Sequence, residues 1–275
     1  MSVVIANHFG FDHLQTPNRF GFEIELENIV GNPAERLTTL INEGVLHTEQ
    51  DNSLRNNGSE FVTQPIDIGS VGVTYAGIKS AIKQSYPQLE ATHRCGVHIH
   101  MNVRDLTLQQ LARFMVLYSL AEEVIIAHTG ERDTNNFCVP LYQSDRLSAW
   151  LSVFKKGDSY ILDTINRSHK YAALNTKPIT ALGTVESRML AGHLWDTTKP
   201  IELAVVLYRL KELCKHSESI NEFRNRIWDI NTTSGYENIL MQFFQGGLLG
   251  VDVANKANHD MVRKAVFMFK CANRG

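Results

Sequence analysis

Ionisable residues recur at alternating positions in three segments of the chain, and each segment has the composition of a β-strand. The three motifs are Glu23-Ile24-Glu25-Leu26-Glu27, His98-Ile99-His100 and Glu186-Ser187-Arg188. In an extended strand successive side chains point to opposite faces, so each motif places its ionisable residues on one face. Unpaired charges are rarely buried in a core. A sheet that contains these strands would therefore have one apolar face and one charged face suited to divalent metals and phosphates.

Carboxylates at alternating positions of one strand are good ligands for Mg²⁺ or Mn²⁺, because these ions prefer oxygen. Two such ions held side by side can bind a nucleoside triphosphate and offset the charge on a transferring phosphoryl group. Glu60, with Asp51 shortly before it, could bring a further carboxylate to the same ions. The imidazoles of His98 and His100 share one strand face and could bind metal or contact a nucleotide.

The sequence also contains cationic residues that could bind phosphate near these candidate metal ligands. Arg188 shares a predicted strand face with Glu186, and a guanidinium can bind phosphate through two parallel hydrogen bonds. Arg167 and Lys170 belong to a small basic cluster just before Tyr171 that could also contact phosphate.

Each of these patterns also has an ordinary structural explanation when it is taken alone. The alternating Glu residues could form the solvated face of an edge strand, and the segment around Glu60 could be a hairpin with polar turn residues. Glu186 and Arg188 could form a salt bridge within a strand, the two imidazoles could be structural, and the basic cluster could be a solvated surface.

The composition is that of an ordinary globular protein. The chain has 275 residues, with 43% hydrophobic and 20% charged residues and a formal net charge of −2, so we expect one domain over residues 1–275 and no general affinity for nucleic acid. No apolar run is long enough for a membrane helix, and the N-terminus lacks the pattern of a signal peptide. The four cysteines are far apart, which is typical of free thiols in a reducing cytosol and predicts a cytoplasmic protein.

Strands and helices must position these motifs, and the strand patterns come mainly before residue 190. We predict strands over residues 20–28, 45–51, 59–65, 94–103, 171–175 and 183–190. We predict helices over residues 32–43, 69–85, 108–127, 144–155, 198–216 and 254–271. The helix from residue 108 should begin with a capping box formed by Thr107 and Gln110, and its nearly continuous apolar surface predicts burial. Strands interspersed with helices, followed by helices alone, favour the α+β class.

The order of the motifs is more specific than any one of them. The chain contains G-F-E-I-E-L-E, then D-N-S-L with G-S-E-F-V-T-Q-P, then C-G-V-H-I-H-M-N, Y-A-A-L-N and T-V-E-S-R. Over residues 21–192 this order resembles the amidoligase family, which belongs to the superfamily of carboxylate–amine ligases with glutamine synthetase and glutamate–cysteine ligase. The resemblance implies a curved, mainly antiparallel sheet of the glutamine-synthetase type, with helices on its convex face. The helical part at about residues 197–275 does not add to it.

The resemblance also implies a reaction and its reactants. The concave face of the sheet would hold ATP and two or three Mg²⁺ ions. A small-molecule or peptide carboxylate would attack the γ-phosphate of ATP to give an acyl phosphate, and an amine would then displace phosphate to form an amide. Family members act on peptides, peptidoglycan-type pieces, amino acids or modified nucleobases and occur in phage and bacterial gene neighbourhoods. The sequence does not choose among these substrates, nor does it indicate an oligomeric state.

Residue roles follow from the same resemblance, position by position. The residues that match metal ligands are Glu23, Glu25, Glu60, His98 and Glu186. Those that match catalytic or nucleotide-side residues are His100, Glu186 and Arg188, with Arg167 and Lys170 as further phosphate or substrate contacts. Glu27 has no matching role. Ser187 departs from the family pattern, as does the pair Gly192-His193, where Gly-Thr is commoner; Ser187 should lie on the face opposite the site.

Two other functions fit the same motifs. One is a metallohydrolase of the His-x-His type that uses no ATP, although hydrolytic zinc sites prefer more His ligands than these motifs supply. The other is a catalytically degenerate member that serves as a binding or scaffold module. The Mg²⁺-dependent ligase is the leading hypothesis because the acidic, His-x-His and Glu-x-Arg motifs all occur in order.

Overall fold

One open, mostly antiparallel sheet lies at the centre of the protein. The computed structural model describes residues 3–11, 17–129, 138–143, 146–152, 156–216 and 218–274. In these residues the strands are β1 (Arg19–Leu26), β2 (Leu46–Glu49), β3 (Ser59–Thr63), β4 (Ile66–Asp67), β5 (Gly96–Asn102), β6 (Leu174–Asn175) and β7 (Thr184–Ala191). Their order in space is β2-β3-β1-β5-β7-β6, and β4 pairs with β1. The predicted α+β class is confirmed.

Helices cover one face of the sheet and make up the C-terminal part of the chain. They are α1 (Ile5–Phe9), α2 (Glu35–Asn42), α3 (Val71–Ser85), α4 (Leu108–His128), α5 (Arg146–Leu151), α6 (Asp158–Asn166), α7 (Ile179–Leu182), α8 (Lys199–Cys214), α9 (Ile220–Trp228), α10 (Thr233–Phe244) and α11 (Lys256–Ala272). Helices α8 and α11 pack against α4, and α8 also contacts β5. None of the helices in the described residues is long and apolar enough to cross a membrane.

The apolar face of the sheet forms the core, as the alternating pattern predicts. On β1 the side chains of Phe20, Phe22 and Ile24 are at most 1% exposed. The ring of Phe22 lies 4.8 Å from the ring of Tyr75 on α3, measured between centroids. Full burial of one such side chain stabilises the fold by about 1.5–3 kcal/mol. This packing fixes which face of β1 remains for polar residues.

Helix α4 follows β5 closely and begins as predicted. The Thr107 hydroxyl accepts a hydrogen bond from the Gln110 amide at 3.1 Å, and the Gln110 side chain accepts one from the Thr107 amide at 2.8 Å. This reciprocal pair satisfies two backbone donors that the first turn of a helix leaves free. Most residues of α4 are buried, so the helix forms the centre of the layer that supports the sheet.

The structure differs from the predicted elements at several boundaries. The predicted strand over 171–175 is reduced to the two residues of β6; before it, the Ala173 amide donates to Val139 and its carbonyl accepts from Arg188 of β7. The predicted helix over 144–155 corresponds to α5, and its residues 144, 145 and 153–155 lie outside the described residues. Elements α1, α6, α7 and β4 were not predicted, since each is short or lacks a clear apolar period.

Candidate metal centre and its two cavities

The strand register brings the polar side chains of four separate segments onto one face of the sheet. Glu23 of β1 lies opposite His98 of β5, and Glu25 lies opposite Glu60 of β3. His100 lies opposite Glu186 of β7. Directly opposed residues of antiparallel strands point to the same face. The long-range pairings therefore gather residues that are far apart in the sequence.

Two overlapping groups of side chains have the spacing of metal ligands. In the first group, Nδ1 of His98 lies 3.1 Å from a Glu23 oxygen and 3.5 Å from a Glu186 oxygen. The second group joins His98 to Glu25 and Glu60, and Nε2 of His98 lies 3.6 Å from a Glu25 oxygen. Within each group the ligand atoms all lie within 4.8 Å of one another. Such distances suit ions of the Mg²⁺ or Mn²⁺ kind, which take carboxylate oxygens.

The environment of His98 fits a metal ion. Its side chain is 2% exposed, and its Nε2 has no hydrogen-bond partner among the described residues. A buried polar atom without a partner is costly, and an ion at this position would satisfy it. A neutral imidazole offers only one acceptor nitrogen, so His98 would ligate one ion at a time. A second ion would depend on the carboxylates.

The carboxylates repel one another in the absence of a cation. Burial and the negative charges of Glu23 and Glu25, with a hydrogen bond to Glu23, raise the pKa of Glu60 to about 9. Burial opposes ionisation of Glu23 too, but its hydrogen bonds and ion pairs with His100 and His98 hold the pKa of Glu23 far below its usual range. Glu60 therefore holds a proton at neutral pH that a divalent cation would displace.

His100 is turned away from the second ligand group. Its Nε2 lies 2.8 Å from a Glu23 oxygen, and its Nδ1 lies 3.0 Å from the hydroxyl of Thr184. Burial disfavours the charged imidazole, but the Glu23 carboxylate and the charge of Glu186 raise the pKa of His100 above its usual value. Both ring nitrogens of His100 are thus engaged by Glu23 and Thr184, and His100 lies next to the metal ligands rather than serving as a further ligand.

Glu186 is held by two donors. Nη1 of Arg188 donates to one of its oxygens, and the side-chain amide of Asn175 on β6 donates to the other at 2.7 Å. Glu186 is 4% exposed. These contacts fix the carboxylate towards His98 and place the guanidinium of Arg188 beside the candidate metal site.

Two cavities flank the ligand groups, and Glu23 lines both. The first, which we call the acidic cavity, has a volume of about 240 Å³ and is lined by Glu23, Glu25, Asp51, Ser53, Glu60, Arg94, His98, Lys170, Tyr171 and Arg188. The second, which we call the neighbouring cavity, has a volume of about 270 Å³; its polar lining includes Arg19, His47, Gln64, His100, Asn102, Arg104 and Thr184. Four of the five candidate metal ligands therefore line the acidic cavity, and Glu23 is the one that also lines the neighbouring cavity.

The structure brings most of the predicted site residues together. Every residue predicted as a metal ligand, together with His100 and Arg188, belongs to the cluster described above. Lys170 lines the acidic cavity, as does Asp51. Arg167 lines neither cavity; its side chain is 66% exposed and lies 2.8 Å from Asp163 of α6. Glu27 is buried and accepts the backbone amide of Arg55 at 2.8 Å, which is a structural role.

Sequence patterns did not reveal Arg94 and Asn175. Arg94 lies in the turn before β5, and Asn175 lies on a two-residue strand. Both positions are at the ends of predicted strands, over residues 94–103 and 171–175, outside the runs of alternating ionisable residues. The Y-A-A-L-N motif was the available signal for Asn175, since its last residue is the one that holds Glu186.

Comparison with known proteins assigns no family to the chain. No protein-family model matches it, and no curated protein matches it either.

Proposed function

We propose that this protein is an ATP- and Mg²⁺-dependent carboxylate–amine ligase with a sheet of the glutamine-synthetase type. The observation that carries the proposal is the pair of ligand groups that share His98 and lie beside Arg188 in the acidic cavity, with the neighbouring cavity on the other side of Glu23. A ligase that activates a carboxylate with a nucleotide needs this combination: oxygen ligands for magnesium, a cation for the transferring phosphoryl group, and space for two reactants.

The residues of the cluster would have different roles in this reaction. Glu23, Glu25, Glu60, His98 and Glu186 would hold Mg²⁺, which when bound offsets negative charge on the phosphates. Arg188 would contact the transferring phosphoryl group, where charge develops. His100, on the wall of the neighbouring cavity, would bind the nucleotide phosphates, which assigns ATP to that cavity and the carboxylate substrate to the acidic cavity.

The reaction balances in two steps. A carboxylate oxygen of the substrate forms a bond to the γ-phosphorus, and the bond from that phosphorus to the β–γ bridging oxygen breaks, so ADP leaves with the electron pair. The nitrogen of the amine then attacks the carbonyl carbon of the acyl phosphate, phosphate leaves, and the amine loses a proton. Enclosure of the acyl phosphate in a small cavity would limit its hydrolysis by water.

The ligand set favours this ligase over a metallohydrolase. Each of the two groups contains a single His, His98, and the remaining ligands are carboxylates. His100 is engaged by Glu23 and Thr184 instead. Catalytic zinc sites usually take more nitrogen ligands than this, whereas magnesium takes oxygen.

A thermal melt tests the proposal without knowledge of the substrates. The wild type and Glu186→Gln would be melted with MgCl₂, with ATP and with both. Ligand at a hundred times its Kd stabilises the folded state by about 2.7 kcal/mol, so we expect a shift of several degrees that needs both ligands and that Glu186→Gln loses. Glu35→Gln, an exposed acid on α2 outside both groups, is the matched control and should keep the shift. The proposal would be contradicted if MgATP left the melting temperature of the wild type unchanged, or if it raised that of Glu186→Gln equally.

A further inference from the structure

The acidic cavity carries two cations that the candidate metal centre does not use. Arg94 and Lys170 both line it, together with Arg188. Arg188 is engaged by Glu186. Neither Arg94 nor Lys170 forms a salt bridge to any carboxylate in the part of the chain that the structure describes, although four acidic side chains share the cavity wall. These two side chains are therefore available to an anionic ligand.

Local contacts hold both residues in place. The Arg94 amide donates to the Thr92 hydroxyl at 3.2 Å, and the next residue, Cys95, accepts a hydrogen bond from Gly192 at 3.0 Å. Arg94 itself is half-buried. The ammonium of Lys170 lies 4.7 Å from the centre of the Tyr171 ring, a cation–π contact that restrains its side chain.

Their place in the chain differs from that of the metal ligands. The metal ligands and Arg188 lie within strands β1, β3, β5 and β7, whereas Arg94 precedes β5 and Lys170 precedes β6. The four-residue step from Arg94 to His98 spans at most about 13 Å of extended chain. Since these cations and the ligand groups line one cavity, a single ligand with negative charge at two places could contact both.

Charge and size restrict the ligand further. The cavity wall has four acidic and three basic residues, and two bound divalent ions would make it strongly positive, so the loaded site attracts anions. Its volume of about 240 Å³ is below the range of about 300–1,000 Å³ that is typical of drug-sized ligands. A molecule of amino-acid size, or the end of a longer one, fits this space.

We propose that the carboxylate substrate is a small dianion, with its reacting carboxylate beside Arg188 and a second carboxylate bound by Arg94 and Lys170. The role of the reacting carboxylate rests on the proposed ligase function. The second-anion site is a property of the cavity wall and is testable without turnover.

Binding of simple acids tests this site. The probes are succinate, glutarate and adipate, each compared with the monocarboxylate of the same chain length, at matched ionic strength and with excess MgCl₂. We expect at least one dicarboxylate to bind and raise the melting temperature more than its monocarboxylate partner. Arg94→Gln and Lys170→Gln should each weaken the binding of that dicarboxylate roughly tenfold and leave the binding of the monocarboxylate unchanged. Arg263 is exposed on α11, so Arg263→Gln is a control that removes one positive charge outside the cavity. It should change the affinity for neither class of acid.

The outcomes separate this inference from the proposed function. The dianion site is wrong if no dicarboxylate binds more tightly than its monocarboxylate partner, or if the two variants weaken the binding of both classes of acid equally. This holds whether or not ATP changes the melting temperature. If dicarboxylate discrimination depends on Arg94 and Lys170 but ATP has no effect on melting in any combination, the dianion site stands and the ligase proposal fails.

Discussion

Divalent metal binding at the acidic cavity should strengthen at least tenfold for each pH unit between about 6 and 8. Burial and the charges of Glu23 and Glu25 raise the pKa of Glu60 to about 9, so the metal-free protein holds a proton there. An ion that binds the Glu60 carboxylate must displace this proton. Displacement of one proton changes the apparent affinity tenfold per pH unit, which gives about 100-fold over the two units.

The same shift sets the pH dependence of the metal-free protein. The folded pKa of Glu60 lies above its ordinary value of 4.5. Between that value and about 9, the folded protein binds a proton that the unfolded chain has lost, so the free energy of unfolding falls as pH rises. Bound metal should reverse this trend, because its own affinity rises with pH.

Titration calorimetry with Mn²⁺ at pH 6, 7 and 8 measures this dependence, and buffers of different ionisation enthalpy count the released protons. Glu60→Gln should bind the ion more weakly and lose the tenfold change in affinity per pH unit. Glu35→Gln, which removes an exposed acid on α2 and retains every predicted ligand, should behave as the wild type does. Equal wild-type affinity at pH 6 and pH 8, or an unchanged slope in Glu60→Gln, would refute this account of the carboxylate cluster.

Three further substitutions separate fold from site. The Ser187 hydroxyl is buried on the apolar face without a hydrogen-bond partner in the described part of the chain, so Ser187→Ala should raise the free energy of unfolding by about 1 kcal/mol in urea titrations. A Cβ at Gly192 would lie 2.5 Å from Cys95 Cβ and 2.9 Å from its backbone; Gly192→Ala should lower the midpoint of thermal unfolding, at a cost of about 1–3 kcal/mol. Glu27→Ala removes the acceptor of the Arg55 amide and should destabilise the fold by about 1–3 kcal/mol, while calorimetry finds the metal stoichiometry unchanged.

Local alternation was sufficient to predict the two faces of the sheet. Residues alternate with a period of two around Glu23, His98 and Glu186 because each strand buries every second side chain. This alternation is visible in residues that are adjacent in the sequence. The capping box of α4 could also be predicted, because it involves only Thr107 and Gln110, which are three residues apart. The register that sets Glu25 opposite Glu60 is a long-range property of the pairing of β1 with β3. The sequence predicted a shared face for these residues, but not their grouping around His98.

The cationic wall of the acidic cavity was harder to predict, because loops carry it. Arg167 and Lys170 are three residues apart and looked alike in the sequence. Helix α6 ends at Asn166, so Arg167 at its C-cap pairs with Asp163 of that helix, while Lys170 lies further along the chain and reaches the cavity. Since α6 was not predicted, the two residues could not be told apart. Arg94 enters the cavity from the turn before β5, although the predicted strand over residues 94–103 had included it.

Capture of the activated carboxylate tests the ligase most directly. The protein would be incubated with ATP, MgCl₂, hydroxylamine as the amine, and a mixture of amino acids and dicarboxylates, and both ADP and acyl hydroxamates would be quantified by mass spectrometry. We expect a hydroxamate formed in a one-to-one ratio with ADP, which is absent in Glu186→Gln and present in Glu35→Gln. ADP formed without any hydroxamate, or hydroxamate formed equally by Glu186→Gln, would contradict this expectation.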